Sequence, residues 1–147
     1  MHALALPAIE MALEDFGVER YIPDWALRCR RGALSEEIAI PFRPKESFVI
    51  ESPEAMWGVL YVTEGSRLGG ELILRQLREQ ASSHKAFAFL QSGRDLNLWR
   101  SFLLKLEDNR FDEGGLNVMK NKAVSTFQYY RDCCKGVSGC SVAGASV

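Results

Sequence analysis

Apolar positions recur along this chain mostly at the three- and four-residue spacing of helices. From Met1 to Phe16, the residues Leu4, Ile9, Met11, Leu13 and Phe16 stand among small residues and acids, with Pro7 in the first turns and Gly17 just past the end. Tyr21 to Arg31 begins with Ile22-Pro23-Asp24-Trp25, a turn able to open a short helix, and Leu34 to Ile38 reads as another. Ala39 to Pro53 holds Pro41, Pro44 and Pro53 and reads as an irregular connector with an extended piece at Phe48 to Ile50. Ser52-Pro53-Glu54 is a helix start: a cap, a proline at the first helical position, then an acid. The helix it opens runs through Met56 and Leu60 to about Gln80, where Ser82-Ser83 breaks it. A further pattern covers His84 to Ser92, and Gly93 marks a turn. Leu96 to Glu107 is strongly periodic, with Leu96, Trp99, Leu103 and Leu106 near one stripe and Phe102 beside it. Asp108 to Gly115 reads as a polar loop, and Leu116 to Cys134 as a last helix carrying Val118, Val124, Phe127 and Tyr130. The expectation is one all-α domain over residues 1–134, without internal repeats, followed by a disordered tail of Gly, Ser, Ala and Val over residues 135–147.

One stretch departs from ordinary helix composition. Gly65, Gly69 and Gly70 place three glycines in six positions inside the long helix that starts at Pro53. Each costs roughly 1 kcal/mol relative to alanine. A helix that carries such a loss needs its backbone bare at those positions. Two occupants fit a bare helix: a flat, wide ligand, or a second helix in close contact.

The ordered run Leu60-Tyr61-Val62-Thr63-Glu64-Gly65-Ser66-Arg67-Leu68-Gly69-Gly70 resembles the distal helix of the heme oxygenase family. It is most similar to the bacterial, biliverdin-producing branch of the phytochrome-associated type. Weaker resemblance extends over about residues 3 to 134. Tyr21-Ile22-Pro23-Asp24-Trp25 with Arg28 and Arg30 looks like the segment after the family's second helix. Leu98 to Glu107 is similar to a later helix whose basic residue reaches the heme propionates, the place of Arg100, and Ala123 to Phe127 resembles the last helix, where Phe127 takes the place of a pocket aromatic.

The resemblance implies a single all-helical, multihelical bundle and a reaction in which heme is both cofactor and substrate. In that reaction the ring opens at one meso carbon to give biliverdin, carbon monoxide and ferrous iron. Electrons come from a separate ferredoxin or reductase, and a bilin-binding photoreceptor is the associated partner. It further implies Gly65, Ser66 and Gly69 as the catalytic surface, and Tyr61, Gly65, Ser66, Gly69, Gly70, Arg100 and Phe127 as heme contacts. Bare glycines leave room for iron-bound oxygen and for ordered water to supply protons. Ser66 stands where animal members carry an acid. The family's iron-ligating histidine lies on its first helix, whereas Met1 to Phe16 looks like the second, so the chain is expected to be N-terminally incomplete. Neither His2 nor His84 stands in the family's setting, and no metal ligand is assigned; His84 reads as a solvated loop histidine. The alternative function is a non-catalytic heme-binding or pseudo-enzyme module.

Composition narrows the picture without changing it. The 147 residues are enough for one sizeable core, with 47% hydrophobic and 25% charged residues, as in ordinary globular proteins. The net charge of −1 gives no reason to expect nucleic acid or an anionic membrane as a partner. No apolar run reaches the length of a spanning helix, and Met1 to Leu6 is no secretory leader, so a cytoplasmic location is expected. Cys29, Cys133, Cys134 and Cys140 lack Cys-x-x-Cys spacing and read as reduced thiols. Trp25, Trp57 and Trp99 read as core anchors. Glu64 with Arg67 and Arg75 reads as a surface ion-pair group worth under about 1 kcal/mol, and Glu10, Glu14 and Asp15 as solvated acids. Motifs for nucleophile elbows, phosphate loops and zinc proteases are absent.

Overall fold

The computed structural model describes residues 2–33, 47–80 and 95–138, with side chains described within 5–33, 47–70 and 95–133. Within those residues the fold is all-α, as the periodicity predicts. The elements are α1 (His2–Phe16), a 3-10 turn (Val18–Arg20), the one-turn α2 (Trp25–Arg28), α3 (Pro53–Gln80), α4 (Leu96–Asp108) and α5 (Glu113–Ser138). The short helix expected at Leu34 to Ile38 and the pattern from His84 to Ser92 lie outside the described residues.

Helix α1 buries Ala5, Leu6, Ile9 and Leu13, a stripe of the right period to face the core. It stops at Gly17, whose φ of 86° is left-handed and whose N–H donates to the Glu14 carbonyl at 2.9 Å. Helix α3 starts as its sequence dictates: the Ser52 hydroxyl accepts from the Ala55 N–H at 3.1 Å. Its 28 residues span about 42 Å, and its first half is buried nearly all round, through Ala55, Met56, Trp57, Val59, Leu60 and Val62. It is the central helix.

Helix α5 lies along α3 in the same direction. A Cβ on Gly115 would sit 3.2 Å from Glu54 Cγ, and one on Gly58 would strike the Met119 carbonyl oxygen and lie 3.1 Å from the Ala123 nitrogen. Close helix contact through a bare backbone therefore occurs in this chain, but at Gly58.

This contact sets the rotation of α5. Thr126 and Tyr130 are buried, while Met119, Ala123 and Cys133 pack against the core. Val118, Val124 and Phe127, expected as that helix's apolar positions, are exposed because they lie off the stripe that meets Gly58. Helix α5 also starts earlier than the periodicity suggests. Asp112 accepts from the Gly115 N–H at 2.7 Å, so residues read as loop form the first turn. At its other end it continues to Ser138, beyond the residue 134 expected as the limit; residues 139–147 are outside the description. On α4, Phe102 is the fully buried residue and Trp99, Leu103 and Leu106 pack beside it, whereas Leu96 is exposed. Phe48 and Ile50 of the connector pack against the core in irregular backbone.

Charges complete the core. Glu64 and Arg67, expected on the surface, are each 1% exposed. Arg28 Nη1 donates to Glu64 at 2.7 Å, and Arg67 donates to Glu64 through Nε and Nη2 at 2.9 Å each. The two guanidiniums have further partners: Arg28 donates to the Leu98 carbonyl at 2.9 Å and to the Ser101 hydroxyl at 2.7 Å, and Arg67 to the Arg28 carbonyl at 2.7 Å. Glu10, expected to be solvated, is 2% exposed and accepts from the backbone N–H groups of Arg30 and Arg31. It takes a third bond from the Cys29 thiol at 3.2 Å; burial and the adjacent Glu10 push that thiol up to about 12. Cys29 is therefore a neutral donor.

Removing one partner of a buried ion pair strands the other, at a cost of about 3–5 kcal/mol. Glu64→Gln is accordingly expected to lower the unfolding midpoint by roughly 10 °C or more, read by thermal circular dichroism. A drop of only one or two degrees would mean that Glu64 behaves as a solvated residue. The rim of the cluster carries a pH dependence. Burial raises the Asp24 carboxyl, but the hydrogen bonds and charge of Arg28 outweigh it and hold Asp24 below its ordinary 3.8. Its contribution is complete above that value and is lost as pH falls through the lower, folded-state value. Asp24→Asn should flatten the acid limb of the stability-against-pH curve below about pH 4; superimposable acid limbs would contradict this assignment.

Candidate functional site

Along α3, Gly58, Tyr61 and Gly65 follow one another at three- and four-residue steps, and Leu68 and Gly69 lie three and four residues beyond Gly65, so all five share one stripe of the helix. The stripe has two halves. Gly58 is buried under α5, whereas Tyr61, Leu68 and Gly69 are exposed and Gly65 is half-buried. A Cβ added at Gly69 would meet nothing within 4 Å, and one at Gly65 would touch only the Trp99 ring at 3.7 Å, an ordinary contact. The packing of the described residues thus gives no steric reason for glycine at 65 or 69.

Aromatic rings border the open half. Trp99 of α4 stands beside Gly65, with the Tyr61 ring at 5.9 Å between centroids and the Phe102 ring at 5.6 Å on its other side. Trp57 continues the cluster inward, 5.9 Å from Phe102. Tyr61 and Leu68 keep 42% and 43% exposure, so the rim is apolar and open. Arg100 follows Trp99 in the same turn of α4 and is exposed. Phe127 is 56% exposed on α5. Among the described residues no hydrogen bond or ring contact joins Arg100 or Phe127 to the glycine stripe. Gly70 is half-buried on the flank.

Ser66 differs from the other expected site residues because its hydroxyl is already engaged. It donates to the Thr63 carbonyl at 2.6 Å and accepts from Arg30 Nη2 at 3.0 Å. The same Nη2 donates to the Thr63 carbonyl at 2.8 Å. Arg30 is 5% exposed, and burial together with the nearby Arg67 charge pulls its pKa down from the usual arginine value. Glu64 and Arg67 read from the sequence as a surface ion pair, and the structure instead buries them with Arg30. A signal was present nonetheless: Met56, Leu60, Glu64 and Arg67 step by four, four and three, so the two charges continue a buried apolar stripe.

The site is therefore a bare, open strip of helix with apolar edges and a charged, hydrogen-bonded underside. It can receive a flat apolar body close to the backbone. Among the described residues no group of three His, Cys, Asp or Glu side chains could hold a metal ion. No helix among them is long and apolar enough to cross a membrane.

A heme oxygenase from Xanthomonas campestris pv. campestris (strain 8004) is 35% identical to this chain over 111 residues, covering 72% of this chain and 67% of the relative. No family model and no solved structure matches. On the strength of that identity and coverage, the chain belongs to the heme oxygenase family.

Proposed function

We propose that the open half of the α3 stripe is the surface against which heme lies, and that the chain works as a heme oxygenase. The observation that carries this reading is that, among the described residues, nothing lies within 4 Å of a Cβ at Gly69, on a helix that loses roughly 1 kcal/mol per glycine for being bare there. A porphyrin is flat and apolar, and fits a strip with no Cβ atoms and with Tyr61 and Leu68 at its edges. Bound heme supplies the iron and the ring that is opened, yielding biliverdin, carbon monoxide and ferrous iron. The chain's own residues do the rest. Gly65 and Gly69 admit the plane and leave space above it, and Ser66 offers an oxygen to ordered water. Tyr61, Gly70 and Phe127 line the edges. Arg100, free in solvent on the turn that carries Trp99, is suited to pair a propionate with two oxygens at once. The reading includes an external ferredoxin or reductase as electron donor, a cytoplasmic setting and a bilin-binding photoreceptor as the user of the product. It places the chain in the bacterial, biliverdin-producing branch.

Hemin titration followed by the Soret band tests the assignment. Gly69→Leu should weaken hemin uptake at least tenfold with unchanged helical content, while Gly69→Ala should stabilise the hemin-free chain by up to about 1 kcal/mol. Wild-type hemin affinity in Gly69→Leu would remove heme from this face. Reductant and oxygen added to the loaded chain should replace the Soret band with a biliverdin spectrum; a stable Soret band would leave heme binding without turnover. Arg100 is exposed, so Arg100→Ala should leave stability within about 0.5 kcal/mol yet reduce hemin affinity roughly tenfold, the scale of one lost charged hydrogen-bond pair. A large fall in melting temperature with unaltered affinity would make Arg100 structural.

A further inference from the structure

A serine hydroxyl has one proton to donate and two lone pairs to accept with. The Ser66 proton is committed to the Thr63 carbonyl at 2.6 Å, three residues back on α3, and one lone pair is taken by Arg30 Nη2 at 3.0 Å. Arg30 holds both ends of this arrangement, since the same Nη2 donates to the Thr63 carbonyl at 2.8 Å. Arg30 is itself fixed, because the buried Glu10 carboxylate accepts its backbone N–H at 2.9 and 3.2 Å. The triangle of Nη2, Thr63 O and Ser66 Oγ leaves one lone pair, on a half-buried residue one turn before Gly69.

We infer that Arg30 is a positioning residue for Ser66, holding its hydroxyl so that toward the glycine stripe Ser66 only accepts a hydrogen bond. The inference rests on the heme reading for its consequence and not for its geometry. A species bound above Gly65 and Gly69 would then have to present a donor to Ser66, as water does, while a pure acceptor gains nothing there. Ser66 orients a proton carrier and does not itself release the proton. Without Arg30, the hydroxyl regains the freedom to turn from Thr63 and donate.

Fluoride on the ferric, hemin-loaded chain is a pure acceptor and reads this polarity. Fluoride affinity should agree within twofold between wild type and Ser66→Ala. Arg30→Met should tighten it at least fivefold, and adding Ser66→Ala in that background should cancel the gain. A fivefold or greater loss of fluoride affinity on Ser66→Ala alone would show that Ser66 donates and would overturn the inference. The hemin-free chain supplies a second measurement. Ser66→Ala should lower the unfolding midpoint at least twice as far in the wild-type background as in Arg30→Met, and strictly additive midpoints would overturn the link between the two residues. Should Arg30→Met not fold, Arg30→Lys takes its place, since an ammonium lacks the fork geometry that serves both oxygens. If wild type takes up no hemin, the heme reading fails, and the unfolding cycle alone decides the positioning role.

Discussion

The buried carboxylate of Glu64, gripped by Arg28 and Arg67, is the contact on which the arrangement of this fold depends. Arg28 comes from the one-turn helix after α1, Glu64 and Arg67 from the centre of α3, and the Leu98 carbonyl and Ser101 hydroxyl that also bind Arg28 from α4. A single cluster thus joins three segments remote in sequence. Leucines could fill the same volume, and replacing buried ion pairs by apolar residues is often neutral or stabilising. What they could not do is bind the carbonyls of Arg28 and Leu98, which tie the one-turn α2 to α3 and α4. The charges confer position more than stability.

One stripe of α3 uses the same residue type for two ends. At Gly58 the missing side chain lets a second backbone approach, and any Cβ there collides with the Met119 carbonyl. At Gly65 and Gly69 a Cβ would be accommodated without movement. Composition alone could not separate these cases, since a glycine in a helix signals close approach without saying of what. The separation comes from tertiary structure: α5 presses its backbone against Gly58, whereas among the described residues nothing lies within 4 Å of a Cβ at Gly69.

Much of the fold was legible because it is written in local periodicity. The Ser52-Pro53-Glu54 start, the Gly17 stop and the α4 stripe each follow from residues within a turn or two. The failures share one cause, which is that burial is decided by partners far along the chain. Glu10 and Glu64 look like surface acids until Arg28, Arg30 and Arg67 arrive from elsewhere to meet them. Val124 and Phe127 look like core until Gly58 dictates which side of α5 turns inward. The Asp112 cap shows a different lapse: Gly114 and Gly115 suggest a loop, yet the Asp112 side chain captures the Gly115 N–H and starts the helix among them. Of the site, the glycine motif was legible as a motif, while Trp99 as its wall and Arg30 as its support were not, because neither is near it in sequence.

The charged cluster and the bare strip also belong together energetically. Three glycines between 65 and 70 weaken α3 by roughly 3 kcal/mol. Helix ends and glycine-rich turns are where backbone hydrogen bonds open first. In this chain the buried anchors of α3 fall at Thr63, Glu64, Ser66 and Arg67, inside or next to that same turn, and Arg30 reaches the Thr63 carbonyl directly. Breaking such a pair costs about 3–5 kcal/mol, which is comparable with the loss the glycines impose. The helix can therefore stay ordered with one face stripped because its opposite face is clamped by ions, and the clamp sits at residues 63–67 because that is where the stripped face begins.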